Sequence, residues 1–271
     1  MKKIFLPFFL YILQYSFSFA QNISIGYLVS VNTNVGITSK KTHYNLIIRN
    51  NEAIYYNDLS DSLNQFNYKD VIVDSKKIGE FTKVKLGDNH YEYVTQNILY
   101  KNYTKDTIIF NETIPVKTKA IVGENLHLFK WNILPTKDTL ILGYKCQTAT
   151  ADFRGRKYTA YFSQELNSFG GPWKFDGLPG LILSVSSQDK YFIIEPIKIA
   201  LNSANAYIDN PYKELKEEDV LNWQEFKKNF AKSLKSIAKK FKAQNDDGST
   251  LSIKITDRIE DLGISEIKSE K

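Results

Sequence analysis

Between residues 23 and 199 the chain consists mainly of short β-branched and aromatic runs, broken at intervals of about 8–12 residues by Asn, Asp, Gly, Pro or Ser. That pattern constrains the fold more than any other feature of the sequence. A period of two puts alternate side chains on one face, and closely spaced turns join neighbouring strands antiparallel. Residues 23–29 form the first such run. Residues 44–48 and 53–56 flank Arg49-Asn50-Asn51-Glu52 as a hairpin, and further runs cover 81–86, 91–94, 98–103 and 107–110. Residues 58–77 are polar and read as an exposed insert.

The middle of the chain is the most regular. Residues 139–152 read as one strand with Leu142, Tyr144 and Cys146 on one face and Lys145 and Gln147 on the other. Phe153-Arg154-Gly155-Arg156 turns the chain, with Gly155 at a position of positive φ, and Tyr158, Ala160 and Phe162 return on the apolar side. Residues 164–175 form a glycine-containing loop, 181–185 resume strand, Ser186-Ser187-Gln188-Asp189 turns it, and 191–199 come back. Cys146 is the only cysteine, so no intramolecular disulfide forms, and its register makes it a small buried apolar residue.

The last third changes period. Asn222 followed by Glu225 is a capping box, and Leu221 and Phe226 hold the staple positions. Phe226, Phe230, Leu234, Ile237 and Phe241 follow helical spacing, with seven lysines between 227 and 242 and acids gathered before and in the first turn. Asp246-Asp247-Gly248 ends this helix, and 251–259 suit a last strand. The expectation is therefore an α+β fold. It consists of a mostly antiparallel, curved sheet in the form of a half-barrel, with one long C-terminal amphipathic helix packed on it.

At the N-terminus Lys2 and Lys3 precede an apolar stretch over 4–13 and Ser18-Phe19-Ala20, the layout of a signal peptide cleaved after Ala20. The stretch is short for a span of about 20 residues, so no transmembrane helix is expected in the mature protein. The expected organisation is a signal peptide over 1–20, a single β-rich domain over 21–262 and a frayed tail over 263–271. Export to the periplasm or beyond the cell argues against a nucleic-acid partner, despite a net charge of +6.

Gly177-Leu178-Pro179-Gly180-Leu181-Ile182 resembles the signature of the GLPGLI family of exported bacterial proteins. The flanking order is similar too: Trp131, Thr136-Lys137, Gly143-Tyr144-Lys145-Cys146, Phe153-Arg154-Gly155-Arg156 and Gly171-Pro172-Trp173-Lys174-Phe175. The resemblance covers residues 131–200 and implies a signal peptide and a β-rich body, with no established activity and no catalytic residues. Leu178-Pro179-Gly180-Leu181 suits a type II turn with positive φ at Gly180. The loop either docks against the sheet or contacts a ligand. It is not a phosphate loop, because no Lys-Ser/Thr follows and a strand, not a helix, comes next.

No catalytic constellation stands out. His43, His90 and His127 are scattered without metal-ligand spacing, G-x-S-x-G is absent, and Asp152, Glu165, Asp176 and Glu195 form no pair that spacing alone identifies. No cofactor is implied. Arg154 and Arg156 flank Gly155 as an anion fork or as partners for Asp176, and these two arginines, Asp176 and Trp173 are the candidate ligand or partner contacts. The function expected is a non-enzymatic binding or accessory protein for an apolar ligand or an outer-membrane protein partner. The alternative is a hydrolase with a non-standard site. N-terminal sequencing of the exported protein should begin at Gln21, and a retained Met1 in that fraction would refute the cleavage reading.

Overall fold

Alternation determines which side chains point inward from the first strand onward. In β1 (Ile23–Asn32), Ile23, Ile25, Tyr27 and Val29 are buried at every second position. The computed structural model describes residues 22–32, 39–57, 97–115, 119–203, 208–244, 251–255, 258–264 and 266–268. The N-terminal leader, the polar insert at 58–77 and the strands expected at 81–86 and 91–94 lie outside the described residues.

Two meanders build one sheet. The first is β1, β2 (Ser39–Arg49), β3 (Glu52–Asn57), β4 (Ile98–Asn102), β5 (Thr107–Thr113) and β6 (Lys119–Asn125). The second is β7 (Asn132–Ile141), β8 (Tyr144–Phe153), β9 (Arg156–Ser163), β10 (Leu181–Ser187) and β11 (Phe192–Leu201). They join where β1 pairs antiparallel with β11, from Ile23 opposite Leu201 to Val31 opposite Phe192. A short β12 (Val220–Asn222) adds parallel to β6, so the sheet has 12 strands in the order β12-β6-β5-β4-β3-β2-β1-β11-β10-β9-β8-β7. The mostly antiparallel sheet expected from the sequence is present, and it is not closed.

The run at 139–152 is two strands, not one. Leu142 (φ +49°) and Gly143 (φ +88°) form a two-residue turn of the mirror-image type that suits the twist of a hairpin. Leu142 is therefore exposed at the turn and does not share an apolar face with Cys146. Cys146 is fully buried, as expected, and burial pushes its thiol up to about 11. The next hairpin turn, Arg154 (φ +42°) and Gly155 (φ +85°), has the same form.

The helix α1 (Trp223–Gln244) begins on the capping box read from the sequence. The Asn222 side-chain oxygen accepts from the backbone N–H groups of Gln224 and Glu225 at 3.0 Å, and Glu225 accepts from the Asn222 N–H at 2.9 Å. Trp223, Phe226, Phe230, Leu234 and Ala238 are buried, while Lys232, Lys235 and Lys239 are exposed. The buried stripe packs on β6, β12 and a separate pair, β13 (Ser252–Lys254) with β14 (Glu266–Lys268). β14 falls within the stretch expected to fray, and its Ile267 is buried. Phe230→Asp, which places a charge in this packed stripe, should cost about 3–5 kcal/mol and abolish cooperative unfolding in urea. Lys→Gln at Lys232, Lys235 and Lys239 together should leave the midpoint within about 0.5 kcal/mol. A Phe230→Asp protein with the wild-type midpoint would contradict the docked helix.

Candidate functional site

The loop between β9 and β10 carries the sequence motif and is largely buried although it has no regular hydrogen-bonding ladder. Its backbone polar groups need partners from elsewhere. Lys101 on β4 supplies them. Its side chain has no exposure, and its Nζ donates to the carbonyls of Gly171 and Phe175 at 2.9 Å and to Asp176 Oδ2 at 3.0 Å. Tyr103 also donates to Asp176 Oδ2 (3.1 Å), the Gly177 N–H donates to Oδ1 (2.8 Å), and Trp131 Nε1 donates to the Asp176 carbonyl (2.7 Å). Burial pushes the Lys101 amine below its ordinary value, and the adjacent Asp176 opposes that shift.

The turn expected at Gly180 is different in form. Positive φ falls at Gly177 (+89°), and Gly180 is not among the described residues with positive φ. The Gly180 N–H donates instead to the Leu178 carbonyl at 2.8 Å, a three-residue turn about Pro179. Glycine is needed at 180 for proximity, because a Cβ there would lie 2.5 Å from the Ser163 carbonyl oxygen.

A second charged cluster lies where the loop, the β8–β9 turn and the C-terminal segment meet. Lys174, with no exposure, donates to Glu124 of β6 (3.1 Å) and to Glu260 (2.7 Å). Arg154 pairs with the same two carboxylates and stacks its guanidinium 3.7 Å from the centre of the Trp223 ring. Lys174 Nζ sits 3.9 Å from the Phe110 ring centre. Beside this cluster Arg258 pairs with Glu112 at 3.1 Å.

Between these groups and the sheet is a cavity of about 370 Å³. Its lining mixes apolar and aromatic residues (Val29, Val31, Tyr44, Tyr55, Leu99, Phe110, Trp173 and Phe192) with polar ones (Thr42, Asn97, Asn111, Glu112, Thr113, Arg258 and Glu260). Tyr44 and Tyr55 are stacked with ring centres 4.7 Å apart, and Trp173 meets Phe192 edge-on at 5.5 Å. Burial pushes the Glu112 carboxyl above its ordinary value, Glu260 adds to the shift, and Arg258 and Lys174 oppose it. A second hollow of about 520 Å³ lies over the motif, lined by Tyr103, His127, Phe169, Asp176 and Pro179 among others. Both Asp176 oxygens are already engaged there.

Of the candidate contacts, Trp173 lines the cavity, and Arg154 holds Glu260 at its end. Arg156 lies behind the wall, paired with Asp189 and 3.9 Å from the Tyr191 ring centre. Neither arginine partners Asp176, a place taken by Lys101; Arg154 holds Glu124 and Glu260, and Arg156 holds Asp189. Sequence reasoning passed over Lys101, Lys174, Glu112, Glu124, Glu260 and Arg258. Among 36 basic residues only four are arginines, and three of them gather here, which is the one signal that could have pointed to the region.

No protein-family model matches the chain. No curated protein matches it. Two solved structures of PNGF-II, in different crystal forms, are similar over 87% of this chain at 14% and 13% identity, each with a TM-score of 0.48. The chain spans 35% of the length of those structures, and a likeness this distant carries no functional argument.

Lys101→Met should destabilise the protein by about 3–5 kcal/mol, because it leaves the Asp176 charge and two loop carbonyls buried without their donor. Adding Asp176→Leu should recover part of that loss, as read from urea midpoints in a double-mutant cycle. Strict additivity of the two changes would contradict the clamp.

Proposed function

We propose that this chain is an exported envelope protein of the GLPGLI family that holds a small apolar molecule between its sheet and its C-terminal segment. The observation that carries the reading is the cavity of about 370 Å³, a volume in the range of small-molecule sites, which Tyr44, Tyr55, Phe110, Trp173 and Phe192 line beside polar side chains. Its wall comes from β1 to β5, β11 and the motif loop, so the site sits on strands and does not depend on a surface loop alone.

In this reading the sheet curves as a half-barrel around the ligand. The connection over residues 126–131 supports that shape. It joins β6, beside one edge of the sheet, to β7, at the other. Its extended reach is at most about 25 Å. Ten strand spacings laid flat would separate the two strands by roughly 48 Å. The motif then acts by docking its loop, through Lys101 and the close approach at Gly180, so that Trp173 completes the wall.

One observation favours hydrolysis instead: the Glu112 carboxyl, raised by burial, shares the cavity with Glu260. Against it, Glu260 is held by Arg154 and Lys174. Native mass spectrometry of the protein purified from its own envelope fraction should show a retained small molecule. Val31→Trp, which fills the cavity, should release that molecule without unfolding the chain. A bare wild-type mass together with no uptake of added decanol would sink the binding reading. Turnover of the retained molecule that Glu112→Gln abolishes would establish the hydrolase.

A further inference from the structure

The helix α1 has two faces, and the fold uses only one of them. Trp223, Phe226, Phe230, Leu234 and Ala238 are buried against β6, β12 and the β13–β14 pair. On the opposite side Lys228, Lys232, Lys235, Lys239 and Lys242 are all exposed. They recur at steps of four, three, four and three residues, the spacing that keeps side chains in one line along a helix. At about 100° per residue the line falls within a sector of roughly 80°, centred opposite the buried stripe, and it is about 21 Å long. Lys227 and Lys240 flank it, and residues 226–244 contain no acid. Among the described residues none of these lysines pairs with a carboxylate.

The stability of the helix does not account for this row. Like charges three and four residues apart destabilise a helix, and an acid at one of these positions would relieve that. The macrodipole favours a cation in the last turn, which covers Lys242 but not Lys228, Lys232 or Lys235. Solubility is served by charges of mixed sign and does not require a line of one sign. The composition is also wrong for a protein partner, because protein interfaces are depleted in lysine and depend on aromatic and arginine anchors. The side chains beside the row are Asn229, Ala231, Ser236 and Ala243, with no aromatic and no arginine among them. The bases of a nucleic acid have nothing to stack on for the same reason. An ammonium is a hydrated point charge that needs no fitted pocket, so a line of them suits a plane of many anions.

We propose that the lysine row of α1 is an electrostatic docking surface for a membrane leaflet rich in anionic phospholipid, and that it holds the mature protein at that surface without inserting into it. The apolar stripe stays in the core, so attachment is by charge alone and salt reverses it. This does not depend on what the cavity holds.

Flotation of the chain that begins at Gln21, which lacks the apolar stretch over 4–13, tests the proposal with two kinds of vesicle. One is a phosphatidylglycerol–phosphatidylcholine mixture and the other is phosphatidylcholine alone. The chain should float with the anionic vesicles at about 0.1 M salt, detach at about 1 M, and not float with the neutral ones. Lys→Gln at Lys228, Lys232, Lys235, Lys239 and Lys242 together should weaken binding about tenfold or more while the urea midpoint is kept. Lys→Gln at the exposed Lys130, Lys145, Lys157, Lys190 and Lys213 gives the same net charge and should weaken it far less. No flotation by the wild type, binding that persists at about 1 M salt, or equal loss in the two variants would overturn the proposal. So would binding to soluble polyglutamate without flotation, which would assign the row to an acidic protein. If the five-lysine variant does not fold, the change at Lys232, Lys235 and Lys239 alone decides, and unaltered flotation by that variant would overturn the proposal as well.

Discussion

The Lys101 ammonium is the contact on which the middle of the molecule depends. The loop it holds has no ladder of its own, and burying such a loop is unfavourable unless its carbonyls find donors. One side chain from β4 meets two of those carbonyls and an aspartate at once. Fixed in this way, the loop brings Trp173, Lys174 and Phe175 into the core at three consecutive positions. Phe175 then contacts Phe129, Tyr158 and Phe192, so the aromatic packing of the second meander against the connection over residues 126–131 follows from the clamp. Replacing the ion pair with apolar residues of similar volume would still leave the Gly171 and Phe175 carbonyls without their donor, and it would remove the geometric demand that gives the loop one conformation.

The second charged cluster extends this order to the end of the chain. Arg154 touches Glu124 of β6, Glu260 of the C-terminal segment and the Trp223 ring at the first residue of α1. The start of α1 is therefore fixed twice, by the Asn222–Glu225 capping box and by a stacked guanidinium. The same segment, residues 258–260, forms one side of the cavity. Stability of the helix and shape of the cavity are coupled through these few contacts.

The architecture was legible where a local rule decides the structure. The strand period located the run that becomes β1, whose Ile23, Ile25 and Tyr27 are buried, and the capping box located the start of α1 at Trp223. The run at 139–152 misled because Leu142 is an apolar residue of the kind a strand carries, and it continued the parity of Tyr144 and Cys146 across a two-residue turn that in fact shifts the phase and puts Ile141 and Tyr144 on one face. Gly180 was recognised as constrained for the wrong reason: the constraint is a carbonyl from β9, and contacts across the fold leave no trace in a hexapeptide. The site was the least legible part. Lys101 and Lys174 are two lysines among many, and nothing local distinguishes a fully buried lysine from a solvated one. Glu112, Glu260 and Arg258 gain their meaning only when β5 and the C-terminal segment meet.

The seam between β1 and β11 also has a kinetic consequence. Within each meander, neighbouring strands pair over short loops in most cases, and such hairpins close quickly. The seam joins residue 23 to residue 201 and residue 31 to residue 192, and closing a loop that long carries a large entropic barrier before any contact rewards it. Until it closes, β1 and β11 are two unprotected edges rich in Ile, Val and Phe, of the kind that pairs with the wrong chain. Refolding yield should therefore be set by the competition between this one intramolecular encounter and the same encounter between two molecules.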